Sequence, residues 1–137
     1  MLECLIIGDS IAVGVSEFRK ECVAHVQGGI TSAGFIKKFG DRPEAAKIVV
    51  ISLGANDYGV PTEPYIEQIR RNTKAAVVFW LLPRQDRVPE AVASVRAVAY
   101  RYGDQVIERP KDISADGIHP TAKGYRELAD KTKLDID

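Results

Sequence analysis

Lys47-Ile48-Val49-Val50-Ile51-Ser52-Leu53 is an almost unbroken run of apolar and β-branched residues that stops at Gly54. A strand with one wet face alternates apolar and polar side chains, so a run of this kind reads as a strand buried on both faces. Residues 2–7 and 75–82 have the same character and stop at Gly8 and Pro83. Two weaker strands are expected at 23–26 and 106–108.

Between and after these runs the apolar residues recur at helical spacing, over 13–21, 32–39, 63–73, 88–102 and 121–131. Val88, Val92, Val95, Ala99 and Tyr102, for example, fall on one face of a helix. Strand and helix thus alternate along the whole chain. Parallel neighbours need a crossover, and right-handed crossovers place helices on both faces of the sheet. The expected fold is α/β, a flavodoxin-like three-layer α/β/α sandwich with a five-stranded parallel sheet, in one domain over residues 1–137. The tail, 133–137, has little to bury and is expected to fray.

Nineteen basic and nineteen acidic residues balance, and no stretch concentrates lysine or arginine into a track for nucleic acid or an anionic membrane. A small or neutral partner fits better. The longest apolar run, 75–82, has eight residues, far short of the roughly twenty of a spanning helix. No leader pattern precedes Leu2, so a cytoplasmic location is expected, and a phage-encoded origin is compatible with the small size. Cys4 and Cys22 make neither a disulfide framework nor a metal site. Cys4 lies in an apolar run, where a buried reduced thiol is the expectation.

Open α/β sheets carry their sites at the carboxyl ends of the strands. Gly8-Asp9-Ser10-Ile11 follows the first strand, Gly28-Gly29 the second and Gly54-Ala55-Asn56-Asp57 the third, while Asp116-Gly117-Ile118-His119-Pro120 lies between the last strand and the last helix. A serine hydroxyl needs an imidazole to take its proton and a third group to orient that imidazole. Ser10, His119 and Asp116 supply the three. The same residues also fit plainer roles, Asp9 or Ser10 as a helix cap and Asp116 in an Asx turn. Pro120 suits the first position of the last helix, which would put His119 at its start. His25, within a strand, reads as structural. Gly29 can offer an unobstructed backbone N–H to an oxyanion and Asn56 a side-chain amide, although Asn56 could equally be a turn residue.

Taken together, Gly8-Asp9-Ser10, Gly29 ahead of Ile30-Thr31-Ser32, Gly54-Ala55-Asn56-Asp57 and Asp116-Gly117-Ile118-His119-Pro120 resemble the four sequence blocks of the SGNH hydrolases, the GDSL esterase and lipase family, in the family's order. The resemblance implies that Ser10 is the nucleophile, His119 the general base and later acid, and Asp116 its orienting carboxylate. The oxyanion donors would be Ser10, Gly29 and Asn56, with Gly28 a rival to Gly29. It also implies ester hydrolysis through an acyl-enzyme, with no metal and no organic cofactor. Ile11 stands where the family usually has Leu. Asp9 is expected to stabilise the Ser10 loop through hydrogen bonds and to have no chemical role.

The chain is short for the family, which favours an open site and short acyl groups such as acetyl, on a small-molecule or carbohydrate ester. Tyr58 and Arg84 are candidates to line its rim. An acyltransferase with the same triad and a non-catalytic glycan-binding module are the alternatives; oligomeric state is not encoded in these motifs. Activity should fall as pH drops and His119 becomes protonated.

Overall fold

Residues 46–52 form the middle strand of a five-stranded sheet in the computed structural model, which describes residues 1–134. In chain order the elements are β1 (Leu2–Gly8), α1 (Ser10–Glu17), β2 (Val23–Val26), α2 (Ser32–Phe39), β3 (Ala46–Ser52), α3 (Glu63–Arg71), β4 (Ala75–Leu81), α4 (Pro89–Tyr102), β5 (Gln105–Ile107) and α5 (Ala122–Lys131). The strands lie in the order β2-β1-β3-β4-β5, every neighbouring pair parallel. This is the flavodoxin-like order expected from the alternation.

The two-sided burial read from the apolar runs has a simple basis in the period of two along a strand. Leu5, Ile7, Val49, Ile51, Val78 and Trp80 point to one face, where they pack with Phe35 of α2, Ile66 and Ile69 of α3, and Val92, Val95 and Val98 of α4. Cys4, Ile6, Ile48, Val50, Phe79 and Leu81 point to the other, against Ile11 and Val15 of α1 and Leu128 of α5. Removing side chains of this size from water is worth about 1.5–3 kcal/mol each. The polar tip of the largest core side chain is satisfied: Trp80 Nε1 donates to Asp104 Oδ2 at 2.8 Å.

Most element bounds differ from the sequence expectation by one or two residues. Helix α1 also ends at Glu17, four residues before the expected 21, and two starts differ for a reason. Helix α1 begins at Ser10, three residues earlier than the periodicity indicates, because the Asp9 carboxylate accepts the Ile11 N–H at 3.1 Å and caps it. Helix α5 begins at Ala122 with Thr121 as its cap, Oγ1 accepting the Gly124 N–H at 3.1 Å. Pro120 is therefore not the first helical residue; it pairs with Ile113 in a short antiparallel bridge. Of the tail expected to fray, 135–137 lie outside the described residues.

The expectation of a reduced thiol at Cys4 is corrected. Cys4 on β1 and Cys22, the residue before β2, form a disulfide across a sequence separation of 18. Parallel pairing of β1 with β2 brings the start of β2 beside Leu5 and so carries Cys22 to Cys4, a proximity that two isolated cysteines in sequence do not reveal. Closing a loop of that size constrains the unfolded chain by about 3 kcal/mol. Reduction, or Cys22→Ser, is accordingly expected to lower Tm by roughly 10 °C, measured by calorimetry with and without reductant.

Candidate active site

Gly8 ends β1 with φ +138°, and a Cβ there would overlap the Ser52 carbonyl oxygen of β3. Only glycine lets the two strands end this close. The next residue exploits the proximity. Asp9 donates its N–H to Ser52 O at 3.0 Å, accepts the Ser52 hydroxyl at 2.8 Å and, through the same Oδ1, caps α1. Asp9 thus holds the turn, in line with the hydrogen-bonding role expected of it. Ser10 follows as the first residue of α1, where backbone N–H groups have no intrahelical acceptor.

Burial pushes the Asp9 carboxyl up to about 6 from the ordinary 3.8, against the hydrogen bonds from Ser52 and Ile11 that pull it down. The folded chain then holds this proton more tightly than the unfolded chain. Stability from Asp9 is full below about pH 4 and is lost as pH rises to about 6, by up to about 3 kcal/mol. Asp9→Asn should remove that fall. Urea unfolding of both proteins at pH 4.5 and 7 is expected to show the variant's stability relative to wild type rising between the two pH values.

The last block sits on a tight hairpin. Ser114 N–H donates to His119 O at 2.8 Å and Gly117 N–H to Ser114 O at 3.0 Å. Asp116 makes at once the two sets of contacts that the sequence presents as alternatives. Its Oδ1 accepts the Ile118 and His119 N–H groups at 2.8 and 2.9 Å, the Asx turn, while its Oδ2 lies 2.9 Å from His119 Nδ1. Ser114 Oγ donates to the same Oδ1 at 2.7 Å. The His119 bond first, then Ser114 and the two backbone donors, hold the Asp116 carboxyl well below the usual carboxylate range. At the far side of the imidazole, Nε2 lies 3.0 Å from Ser10 Oγ. Residues 109 positions apart in sequence are thereby joined in one hydroxyl–imidazole–carboxylate chain. With Asp116 ionised, Nδ1 carries the proton and Nε2 is free to accept the one from Ser10.

The glycine and asparagine blocks meet the same rim. Asn56 Nδ2 donates one hydrogen to Ile30 O at 3.0 Å, which fixes the amide and leaves its second hydrogen for another acceptor. Asp57 is buried and ties the two loops a second time, accepting Ser32 N–H at 2.9 Å and the Thr62 hydroxyl at 2.7 Å. Gly29 has φ +77° with open space around it, and Gly28 lies against Ser10. Ser10, Gly28, Gly29, Asn56 and His119 line one pocket of about 450 Å³, with Tyr58 and Arg84 on its rim. His25 lies elsewhere, paired with Glu44 at 3.1 Å.

In sequence comparison the chain matches no family model and no curated protein. In three dimensions it superposes on a GDSL-like lipase from Bacteroides thetaiotaomicron with a TM-score of 0.67 at 18% identity, over 93% of this chain and 83% of that one. The chain has the fold of the GDSL-like, or SGNH, hydrolases. A chain named as a GDSL-like lipase from Bacteroides ovatus gives 0.66 at 18% identity, over 96% of each. A family two carbohydrate esterase from Clostridium thermocellum, solved in complex with cellohexaose, gives 0.56 at 18% identity over 93% of this chain and 61% of that one.

On this SGNH fold the structure adds residues that the motifs did not single out. Ser114 and Asp57 brace His119 and Asn56 through their bonds to the loops. Arg84 donates to Gly117 O at 2.7 Å and Arg109 to Ile118 O at 2.5 Å, so both hold the strip of backbone just before His119. Arg109 follows β5, and the rule that sites lie at the carboxyl ends of strands could have found it. No helix among the described residues is long and apolar enough to cross a membrane.

Proposed function

We propose that this domain, residues 1–137, is a serine esterase that cleaves short-chain esters, acetyl foremost, through an acyl-enzyme. The observation that carries the reading is the pair of contacts Ser10 Oγ–His119 Nε2, 3.0 Å, and His119 Nδ1–Asp116 Oδ2, 2.9 Å. Ser10 Oγ attacks the ester carbonyl carbon while His119 Nε2 takes its proton. The carbonyl oxygen becomes an oxyanion facing the Ser10 and Gly29 N–H groups and the Asn56 amide. The tetrahedral intermediate collapses with cleavage of the carbonyl–alkoxy bond, and His119 returns the proton to the departing alcohol. Water then attacks the Ser10 ester with His119 as base, releasing the carboxylic acid and restoring the hydroxyl. Asp116 stays ionised throughout and steadies the imidazolium.

A rim built from short loops, with Tyr58 exposed at its edge, supports an open site and a polar alcohol portion. The carbohydrate esterase neighbour makes a sugar ester a reasonable substrate class. The disulfide supports an oxidising compartment over the cytoplasm expected from the sequence, since structural disulfides persist where thiols are not kept reduced. The test is hydrolysis of 4-nitrophenyl acetate, butyrate and octanoate by wild type and Ser10→Ala, both checked for folding. The expected result is turnover greatest for acetate in wild type and absent in the variant. Equal inertness of the two proteins would count against the esterase and move the acyltransferase and the binding module ahead.

A further inference from the structure

Three arginines, Arg84, Arg87 and Arg109, line the pocket that holds Ser10 and His119, and among the described residues no acidic one lines it. In a chain of formal net charge zero this is a local excess of cations. Three carboxylates act on them: Asp116 and Asp9 are held by His119 and Ser52, and Asp86 is engaged on both of its oxygens by Arg84, Nε to Oδ1 at 3.0 Å and Nη2 to Oδ2 at 2.6 Å. Arg109 is half-buried and makes no ion pair among the described residues; of its five N–H donors one goes to Ile118 O. Arg87 is exposed and its side chain makes no hydrogen bond among the described residues.

Holding a carbonyl in place needs one donor, and a second guanidinium close by raises the cost of the first. Burial, and then the Arg84 charge, pull the Arg109 pKa below its ordinary value. Two cations kept together against that repulsion, with donors left open to a pocket, form a site for an anion. Its side follows from the triad. Arg84 and Arg109 are bound to the two residues preceding His119, and the alcohol oxygen is the atom that receives the His119 proton. The oxyanion donors belong to other loops.

We infer that the site takes esters whose alcohol portion carries an anionic group, a carboxylate or a phosphate, held by Arg109 together with Arg84 and Arg87. The inference rests on the esterase reading and adds the substrate class to it. An anion bound away from the reacting atoms is held equally in the ground and transition states, so its contribution appears in KM more than in kcat.

The experiment compares 4-acetoxybenzoate with its methyl ester, which differ in one charge on the alcohol portion. Wild type is expected to prefer the acid by about tenfold in kcat/KM, mostly through KM, although the methyl ester has the better leaving group. Arg109→Gln should bring the ratio to about one, and Arg109→Lys should keep much of it. A parallel pair, 4-acetoxyphenyl phosphate and 4-acetoxyanisole, distinguishes phosphate from carboxylate. Arg87→Gln, which breaks no bond within the chain, keeps the test open if Arg109→Gln does not fold. A wild-type ratio near one, or a ratio unmoved by either glutamine variant, overturns the inference. A preference for 4-nitrophenyl hemisuccinate over 4-nitrophenyl butyrate with none for 4-acetoxybenzoate also overturns it, placing the anion on the acyl side. Calorimetric titration of Ser10→Ala with 4-hydroxybenzoate needs no turnover: binding that depends on Arg109, in a protein whose wild type hydrolyses no ester, would reject the esterase and leave the anion site standing.

Discussion

Ser10→Ala and His119→Ala are each expected to lower kcat for 4-nitrophenyl acetate by a factor on the order of 10⁴ or more, and the double variant to be no slower than either alone. The two groups act as one unit. Without Oγ there is nothing for the imidazole to activate, and without the imidazole the hydroxyl is a poor nucleophile at neutral pH, so the losses do not add. Circular dichroism should find all three variants folded, since Ser10 and His119 are joined to each other by a single side-chain bond at the surface rim. Multiplicative losses would mean that the two residues act independently. The pH profile carries the same information. Wild-type kcat/KM should fall on acidification, the direction set by the proposed role of His119 as base, and Asp116, held well below the usual carboxylate range, does not supply that fall. Asp9, with its carboxyl raised to about 6, could add to that limb by changing the Ser10 turn. A limb that persists in Asp9→Asn assigns it to His119.

The second large effect is expected at Asn56. Asn56→Asp keeps the size of the side chain but replaces a donor by a negative charge, which on the proposed mechanism would face the oxyanion. The loss of one oxyanion donor costs about 2.7–4 kcal/mol of barrier stabilisation, a factor of about 10²–10³ in kcat, and the added charge works in the same direction. On the proposed oxyanion role KM should change little, because such a donor acts on charge that develops in the transition state. Stopped-flow and steady-state kinetics with 4-nitrophenyl acetate read both parameters. A rise in KM at constant kcat would instead assign Asn56 to ground-state binding, as an ordinary rim residue. Asp57→Ala gives a graded comparison: it releases Ser32 and Thr62 without touching the amide, and is expected to lower kcat less than Asn56→Asp.

The layers of this fold could be read from Val49, Val50 and Ile51 because burial on two faces leaves no polar residue in the alternation, and sheet order follows from connections that must cross over a face. The starts of α1 and α5 were harder, since a capping side chain shifts a helix start without changing the apolar period; Asp9 and Thr121 decide those bounds. The disulfide was beyond reach for the same kind of reason. Cys4 and Cys22 meet through the pairing of β1 with β2, a tertiary event.

At the site, the meeting of Ser10, Asp116 and His119 was legible because hydroxyl, imidazole and carboxylate are chemically distinct residue types in sharply bounded loops. Ser114, Asp57, Arg87 and Arg109 were not. Their types are common at surfaces, and only distances show that Ser114 and Asp57 brace the loops and that the arginines converge on one pocket. The two readings of Asp116, turn former or catalytic orienter, were posed as rivals by the sequence and are compatible in space, because a carboxylate has two oxygens and uses one for each.

The central claim is that His119 and Asp116 make the Ser10 hydroxyl a nucleophile. It is tested most directly by treating the folded protein with a fluorophosphonate and measuring its intact mass, followed by peptide mapping. The account predicts one adduct per chain, on Ser10, formed rapidly at neutral pH, slowed by acid and absent in Ser10→Ala and His119→Ala. A protein that stays unmodified, or is labelled equally in Ser10→Ala, would contradict it.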